Sequence, residues 1–146
     1  MPNVSALWLK PAHNGAMKPI DTLTLLEGTG IEGNADQGGW RQVTIISEDR
    51  WSQVNADLDA TVDPQLRRAN IMVAGLDLAE SRGRVLELGE CLIEIRGETR
   101  PCRLMDEQHS GLRDALSSNW GGGVFGVVTR SGTVSVNDEA RLLQGG

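Results

Sequence analysis

The sequence is poor in aromatic side chains and in positive charge. It contains no tyrosine, one phenylalanine and four tryptophans, and its 20 acidic residues outnumber 14 basic ones for a net charge of −6. Single-stranded nucleic acids bind by stacking on aromatic rings, and nucleic acids in general bind to clustered cations. The composition therefore predicts that the protein does not bind nucleic acid.

Long apolar runs are also missing. No run approaches the roughly 18 successive apolar residues of a membrane-spanning helix. The N-terminal sequence lacks the basic head and the apolar stretch of a signal peptide. We therefore expect a cytoplasmic protein that does not bind a membrane.

Cysteine is scarce as well. The two cysteines, Cys91 and Cys102, form neither a CxxC pair nor a dense framework. Such usage is typical of a reducing compartment, in which thiols stay free. A structural disulfide is therefore the less favoured interpretation.

Glycine, by contrast, is abundant, with 18 glycines in 146 residues. The length predicts a single domain spanning residues 1–146. Nine short β-branched or alternating runs are bounded by turn residues, at 4–9, 21–26, 41–47, 69–75, 84–89, 90–97, 124–130, 132–136 and 140–143. This pattern predicts a mainly β fold, a closed or partly open β-barrel of short strands with a few peripheral helices.

Two segments have helical patterns. Ser47 is a suitable N-cap for a helix that places Trp51, Val54 and Leu58 on one face. A second amphipathic helix is predicted within residues 106–120, although Gly111 weakens its first turn. We expect these helices to cover the sheet from outside.

The two cysteines differ in their surroundings. Alternation along 90–97 places Cys91 on the same strand face as Ile93 and Ile95, which predicts a buried, inert thiol. A turn centred on Gly97 and Glu98 would follow, and it would set the two sulfur atoms in poor geometry for a disulfide.

Cys102 is the candidate reactive thiol. Pro101 ends the strand, which places Cys102 at the sheet rim and at the start of the predicted second helix. Free helix N–H groups and the basic side chains of Arg96, Arg100 and Arg103 would stabilise its thiolate. The alternative is that Cys102 is an inert filler, which is the commoner role of a lone cysteine.

Two further segments contain candidate anion-binding groups. Five glycines precede Arg41, at positions 28, 30, 33, 38 and 39. The loop that contains them is followed by a strand and not by a helix, so it fits neither of the common nucleotide-binding motifs. They form either a loop closing one barrel end or a cradle of backbone N–H groups that binds an anion together with Arg41. The segment "RRAN" offers Arg67, Arg68 and Asn70 at the start of another strand.

Four fragments, in this order, resemble the successive motifs of the MOSC domain, which is named after the C-terminal domain of molybdenum-cofactor sulfurases. They are "GIEGNADQGGWRQVTIIS", "RRANIMVAGLDL", "GRVLELGECLIEIRGETRPCRLM" and "GGGVFGVVTRSGTVSVNDEARLL". The resemblance extends over about residues 5–143. It implies a stand-alone MOSC-like domain without the aminotransferase-like domain of the large sulfurases.

The resemblance also implies a site. The cysteine of the family's Pro-Cys motif corresponds to Cys102, as the proposed sulfur acceptor or molybdenum ligand. The residues implied to bind the cofactor, or to shape its pocket, are Arg41, Arg68, Asn70, Arg100 and Arg103. The cofactor is molybdenum cofactor (molybdopterin), while pyridoxal phosphate would act only through a partner desulfurase.

The chain departs from the family pattern at two positions. Asn137 precedes Asp138 where the family usually has glycine, and asparagine tolerates the left-handed turn needed there. Asn34 stands where the family often has aspartate, which weakens a charge-dependent role for that loop.

Three functions remain open. In the first, the chain is a sulfur carrier that receives sulfane sulfur from a cysteine desulfurase and passes it to a molybdoenzyme, or it ligates molybdenum itself. In the second, the chain is a non-catalytic binding module for an anionic, phosphate-bearing small molecule. The third is a molybdenum-dependent reductase of N-hydroxylated compounds. The sequence alone does not decide whether the protein is an enzyme.

Overall fold

The computed structural model describes residues 2–11, 17–35, 37–39, 41–59, 69–99, 111, 120 and 123–144. Its eleven described strands are β1 Asn3–Leu9, β2 Lys18–Ile20, β3 Thr22–Leu26, β4 Gly30–Ile31, β5 Val43–Ser47, β6 Ile71–Ala74, β7 Val85–Leu88, β8 Cys91–Glu98, β9 Val124–Arg130, β10 Gly132–Ser135 and β11 Ala140–Leu143. One described helix, α1 Glu48–Asp57, follows β5. The predicted mainly β fold is confirmed, and all nine predicted strands are present.

The strands form two sheets that do not close completely. Eight strands lie in the order β11-β7-β8-β9-β5-β6-β1-β2, and β10-β3-β4 form a smaller sheet. A single antiparallel bridge between Asn3 and Glu139 brings the start of β1 to the chain just before β11. The arrangement is therefore the partly open form of the predicted barrel.

The core lies between the two sheets. Side chains from both sheets meet there, including Leu23, Leu25 and Val134 of the small sheet with Ile45 and Ile93 of the large one. A second buried cluster consists of Trp8, Met17, Ile46, Ala69 and Met72. Burial of apolar side chains in these two clusters is the main force that holds the strands together.

Helix α1 begins and packs as its sequence predicts. Ser47 has an extended backbone, and its Oγ accepts a hydrogen bond from the backbone N of Arg50 at 3.2 Å. Trp51 and Val54 are buried, and the helix packs against β5 and β6. The predicted second helix lies outside the described residues apart from Gly111 and Trp120. No helix among the described ranges is long and apolar enough to cross a membrane.

The predicted turn at Gly97 and Glu98 is wrong. Strand β8 continues through both residues, and Gly97 pairs with Phe125 of β9. A bulge between Ile95 and Gly97 adds one residue to β8, and a Cβ on Gly97 would lie 3.0 Å from Phe125 Cζ. The glycine therefore makes room for an aromatic ring across the strand pair, a requirement that its local sequence does not reveal.

The turn before β11 agrees with the sequence. Asn137 has a φ of +79°, a conformation that asparagine adopts more readily than most residues. The next residue, Asp138, accepts a hydrogen bond at Oδ2 from the backbone N of Ser135 at 2.8 Å. The replacement of the usual glycine by Asn137 thus leaves the turn intact.

Candidate functional site

A cavity of about 280 Å³ lies beside the C-terminal half of β8. The described residues that line it are Arg82, Gly83, Glu94, Ile95, Arg96 and Phe125. The strand that forms one wall ends at Glu98, and the backbone N of Thr99 still donates to the carbonyl of Gly123 at 2.8 Å. Cys102 follows Thr99 by three positions in the sequence.

Gly97 of β8 leaves room for the Phe125 ring that lines the cavity. Phe125 leans over Gly97 in the space that a side chain there would fill, and Arg82 Nη2 lies 3.7 Å from the same Cβ position. The guanidinium carbon of Arg41 lies 5.3 Å from the centroid of the Phe125 ring, within the range of a cation–π contact. Phe125 therefore connects Arg41 to the residues of the cavity.

The charge around this cavity is opposite in sign to that of the whole chain. Arg96 Nη1 forms an ion pair with Glu94 Oε1 at 3.0 Å. The lining residues Arg82, Arg96 and Glu94 therefore leave a local charge of +1 in a protein of net charge −6, and the guanidinium group of Arg41 lies over the Phe125 ring outside this lining. A concave site with this charge attracts anions.

Asn70 is buried within a network of hydrogen bonds. Its Oδ1 accepts from the backbone N and the Oγ1 of Thr44, at 3.2 and 3.1 Å. Its Nδ2 donates to the carbonyl of Trp8 at 3.4 Å and to Asn34 Oδ1 at 3.3 Å. Every hydrogen-bonding position of the amide is therefore engaged within the protein, so the geometry favours pocket shaping over direct ligand contact.

The glycine-rich loop is also tied down by internal hydrogen bonds. Its backbone N–H donors to protein carbonyls include those of Gly28, Asn34, Ala35 and Gly38. These groups are not available to cradle an anion, so the geometry favours the loop that closes one end of the fold. Asn34, in this loop, accepts at Oδ1 from the backbone N of Lys10 at 2.9 Å, in addition to its bond with Asn70.

Gln42 holds the backbone next to Arg41 in place through three hydrogen bonds. Its side chain accepts from the backbone N of Val128 at 2.9 Å and donates to the carbonyl of Gly39 at 3.1 Å. Its own backbone N donates to the carbonyl of Gly126 at 3.1 Å. Arg41 is therefore presented next to β9 by a buried neighbour.

Cys91 is buried and inert, as predicted. It is a free cysteine with no exposed surface. Burial, followed by the negative charge of Glu90, raises the pKa of its thiol from 9.0 to about 11; Asp138 adds to the rise and Arg130 opposes it. A thiol with such a raised pKa is a poor nucleophile at neutral pH.

Among the predicted site residues, the structure describes Arg41 and Asn70. It connects them through adjacent strands, because Thr44, which binds Asn70, pairs with Phe125, which contacts Arg41. The other four, Arg68, Arg100, Cys102 and Arg103, lie outside the described residues.

Arg82 and Phe125 were missed by sequence reasoning. Arg82 lies in the polar stretch "ESRGR", which resembles an ordinary surface turn. The only signals were that Phe125 is the one phenylalanine of the chain and that Gly97 interrupts an otherwise regular strand.

The comparison with protein families decides the family. The profile of the MOSC domain matches residues 32–141. The chain belongs to the MOSC domain family. A comparison with curated proteins finds no match.

Solved structures share the fold of this chain. The YuaD protein of Bacillus subtilis is similar with a TM-score of 0.79 at 20% identity, over 99% of this chain and 97% of YuaD. YiiM of Escherichia coli is similar with a TM-score of 0.69 at 21% identity, over 98% of this chain and 70% of YiiM. YiiM of Geobacillus stearothermophilus gives 0.74 at 13% identity, over 99% of this chain and 76% of that YiiM. At these identities the likeness shows the fold alone.

Proposed function

We propose that this MOSC domain binds molybdenum cofactor and carries sulfur on Cys102. The observation that carries the proposal is the family match, because the matched range 32–141 contains Cys102 together with Arg41, Arg68, Asn70, Arg100 and Arg103. The positively charged cavity beside β8, the strand that leads towards Cys102 in sequence, adds independent support.

The described residues fit the anionic part of such a cofactor. Guanidinium groups present forked donors that suit phosphate oxygens; those of Arg82 and Arg96 line the cavity, and that of Arg41 lies over the Phe125 ring. Arg41, Arg82 and Arg96 would hold the anionic group, while Asn70 would keep the glycine-rich loop and β5 in register. When bound, the cofactor supplies a metal–sulfur centre to which sulfur can be delivered.

The proposed sulfur transfer begins with a persulfide on a partner cysteine desulfurase. The Cys102 thiolate attacks the outer sulfane sulfur of that persulfide. A new S–S bond forms on Cys102, the S–S bond of the donor breaks, and the donor cysteine leaves as a thiolate. Redox equivalents and atoms balance, since one persulfide is exchanged for another. Arg100 and Arg103 would stabilise the attacking thiolate.

The test is sulfur loading followed by intact-protein mass spectrometry. Incubation with a cysteine desulfurase and cysteine is expected to add one sulfur, about 32 Da, to Cys102. The Cys102→Ser variant is expected to lose this increment, whereas the matched Cys91→Ala variant keeps it because Cys91 is buried. Equal loading of the wild type and Cys102→Ser would exclude Cys102 as the sulfur carrier.

The cationic cavity supports a second function, the binding of a phosphate-bearing small molecule without chemistry at Cys102. Molybdenum analysis of the freshly isolated protein separates the two. Molybdenum together with loading at Cys102 supports the first function. Absence of both, with retained binding of a phosphorylated ligand, supports the second.

A further inference from the structure

We infer that Gln42 is the residue that positions Arg41 for ligand binding. The inference rests on the proposed function, in which Arg41 helps to hold the anionic group of the cofactor. Gln42 is buried, whereas Arg41 is exposed. Gln42 therefore acts through Arg41 and not through a contact of its own with the ligand.

The side chain of Gln42 takes over where the backbone pairing of β5 with β9 ends. The last pair of that ladder is Val43 with Gly126. Two residues further along β9, the backbone N of Val128 donates to Gln42 Oε1 at 2.9 Å. Because a side chain satisfies this buried N–H, the ladder does not need the backbone of Arg41, which lies outside the strand.

Further contacts hold Gln42 between the glycine-rich loop and β9. Its Nε2 donates to the carbonyl of Gly39 at 3.1 Å, and its backbone N donates to the carbonyl of Gly126 at 3.1 Å. A Cβ on Gly30 would lie 3.1 Å from the Cβ and from the carbonyl oxygen of Gln42, so β4 packs directly against it. The backbone beside Arg41 is therefore fixed from the buried side.

The anchored backbone places the guanidinium group of Arg41 over Phe125. The guanidinium carbon lies 5.3 Å from the ring centroid, and Phe125 directly precedes Gly126, to which Gln42 is bonded. One residue thus sets both partners of the cation–π contact in register. Since ordering a flexible arginine on binding costs entropy, an Arg41 that is already held binds a ligand more tightly than a loose one.

Proton NMR of the Arg41 side chain tests the positioning without any ligand. Protons that lie over the face of an aromatic ring have upfield-shifted signals, so this shift should be present in the wild type and absent in Phe125→Leu. Gln42→Met is similar in size but removes both side-chain hydrogen bonds, and it should lose the shift as well. Unchanged Arg41 signals in Gln42→Met would overturn the inference.

Gln42→Asn is the milder variant, for use if Gln42→Met does not fold. Asparagine keeps the amide but is one methylene shorter, so it cannot reach both Val128 and Gly39. It should therefore reduce the Arg41 shift in part. Urea unfolding shows which variants keep the fold, and a folded Gln42→Asn with the full Arg41 shift would count against the inference.

Gln37→Met is the matched control. Gln37 lies in the same loop and also donates its side-chain amide to a backbone carbonyl, that of Ile31 at 3.0 Å. This bond joins the loop to β4 and not to β9. The Arg41 signals should therefore be those of the wild type. Equal loss of the shift in Gln37→Met and Gln42→Met would mean that any disturbance of the loop moves Arg41, which would overturn the specific role of Gln42.

The affinity for molybdenum cofactor tests the consequence for binding. Gln42→Met is expected to weaken binding on the order of fivefold, since Arg41 must then be ordered in the binding step. In an Arg41→Ala background the same substitution should have no further effect, and additive losses would overturn the inference. A wild-type chain that binds no cofactor would overturn the proposed function, while the NMR result would still decide whether Gln42 positions Arg41.

Discussion

Asn70 Nδ2 donates a hydrogen bond to Oδ1 of Asn34, 3.3 Å away. Both side chains are buried, and the bond joins the residue before β6 to the glycine-rich loop. Asn34 Oδ1 also accepts from the backbone N of Lys10, just after β1. The pair therefore holds three segments of the chain together at one point.

Asn70→Ala is expected to destabilise the protein by about 1 to 3 kcal/mol, because it leaves buried partners of the amide without a hydrogen bond. Asn70→Asp should cost at least as much at neutral pH, since it directs an acceptor towards Asn34 Oδ1 and the carbonyl of Trp8. Urea unfolding measures both variants. A neutral effect of Asn70→Asp would contradict the donor role of Nδ2.

The buried thiol of Cys91 predicts a loss of stability in alkali. Because folding raises the pKa of this thiol from 9.0 to about 11, the native state keeps the proton in a pH range where the unfolded chain releases it. The contribution of the protonated thiol to the free energy of unfolding is full below pH 9 and is lost as the pH rises through about 11. A shift of this size corresponds to roughly 3 kcal/mol.

Cys91→Ala is the control for this pH dependence. The free energy of unfolding of the wild type, measured in urea at several pH values, should fall relative to the variant between pH 9 and 11. Parallel curves for the two proteins would show that Cys91 is not protected by burial.

Gly123 and Gly28 both have a positive φ, but only Gly123 lies close to a neighbouring strand. Alanine substitutions at the two positions therefore distinguish the cost of a steric clash from the cost of the backbone conformation. A Cβ on Gly123 would collide with the carbonyl oxygen of Ile45, whereas a Cβ on Gly28 meets nothing within 4 Å. Gly123→Ala is therefore expected to disrupt the contact of β9 with β5 and to cost several kcal/mol. Gly28→Ala should cost only about 1 kcal/mol, from its left-handed backbone. Similar melting temperatures for the two variants would rule out the close approach at Gly123.

The contact of Arg41 with Phe125 predicts an energetic coupling. A double-mutant cycle with Arg41→Ala and Phe125→Leu should give a coupling energy of about 0.5 to 1 kcal/mol between the two side chains, as expected for an exposed cation–π pair. Urea unfolding of the four proteins measures it. Additive effects of the two substitutions would mean that the ring does not hold Arg41.

The local alternation of apolar and polar residues was sufficient to predict most of the strands. Alternation in 90–97 predicted that Cys91, Ile93 and Ile95 share one face, and all three are buried. Strands β2 and β4 were not predicted because they contain three and two residues. Such short strands show no periodicity of their own and exist only through pairing with β1 and β3.

Within the candidate site, sequence reasoning named Arg41 and Asn70, from their residue types and then from the family resemblance, but gave no contacts for either. Asn70 lies far from Thr44 and Asn34 in the sequence, and the sheet brings them together. Arg82 had no signal at all, because its place in the lining of the cavity depends on β8 passing beside it. The roles of Cys102, Arg68, Arg100 and Arg103 stay predictions.

The sequence by itself determined what depends on neighbouring residues: the strand runs, the Ser47 cap, the alternation that buries Cys91 and the ordered motifs of the MOSC family. Only the tertiary structure decided that Gly97 continues a strand, since the reason is a ring from β9 occupying the space of the missing side chain. It also decided which arginines share a cavity. Residues 82, 96 and 125 line that cavity and residue 41 lies over the aromatic ring, an arrangement that only sheet pairing and packing produce.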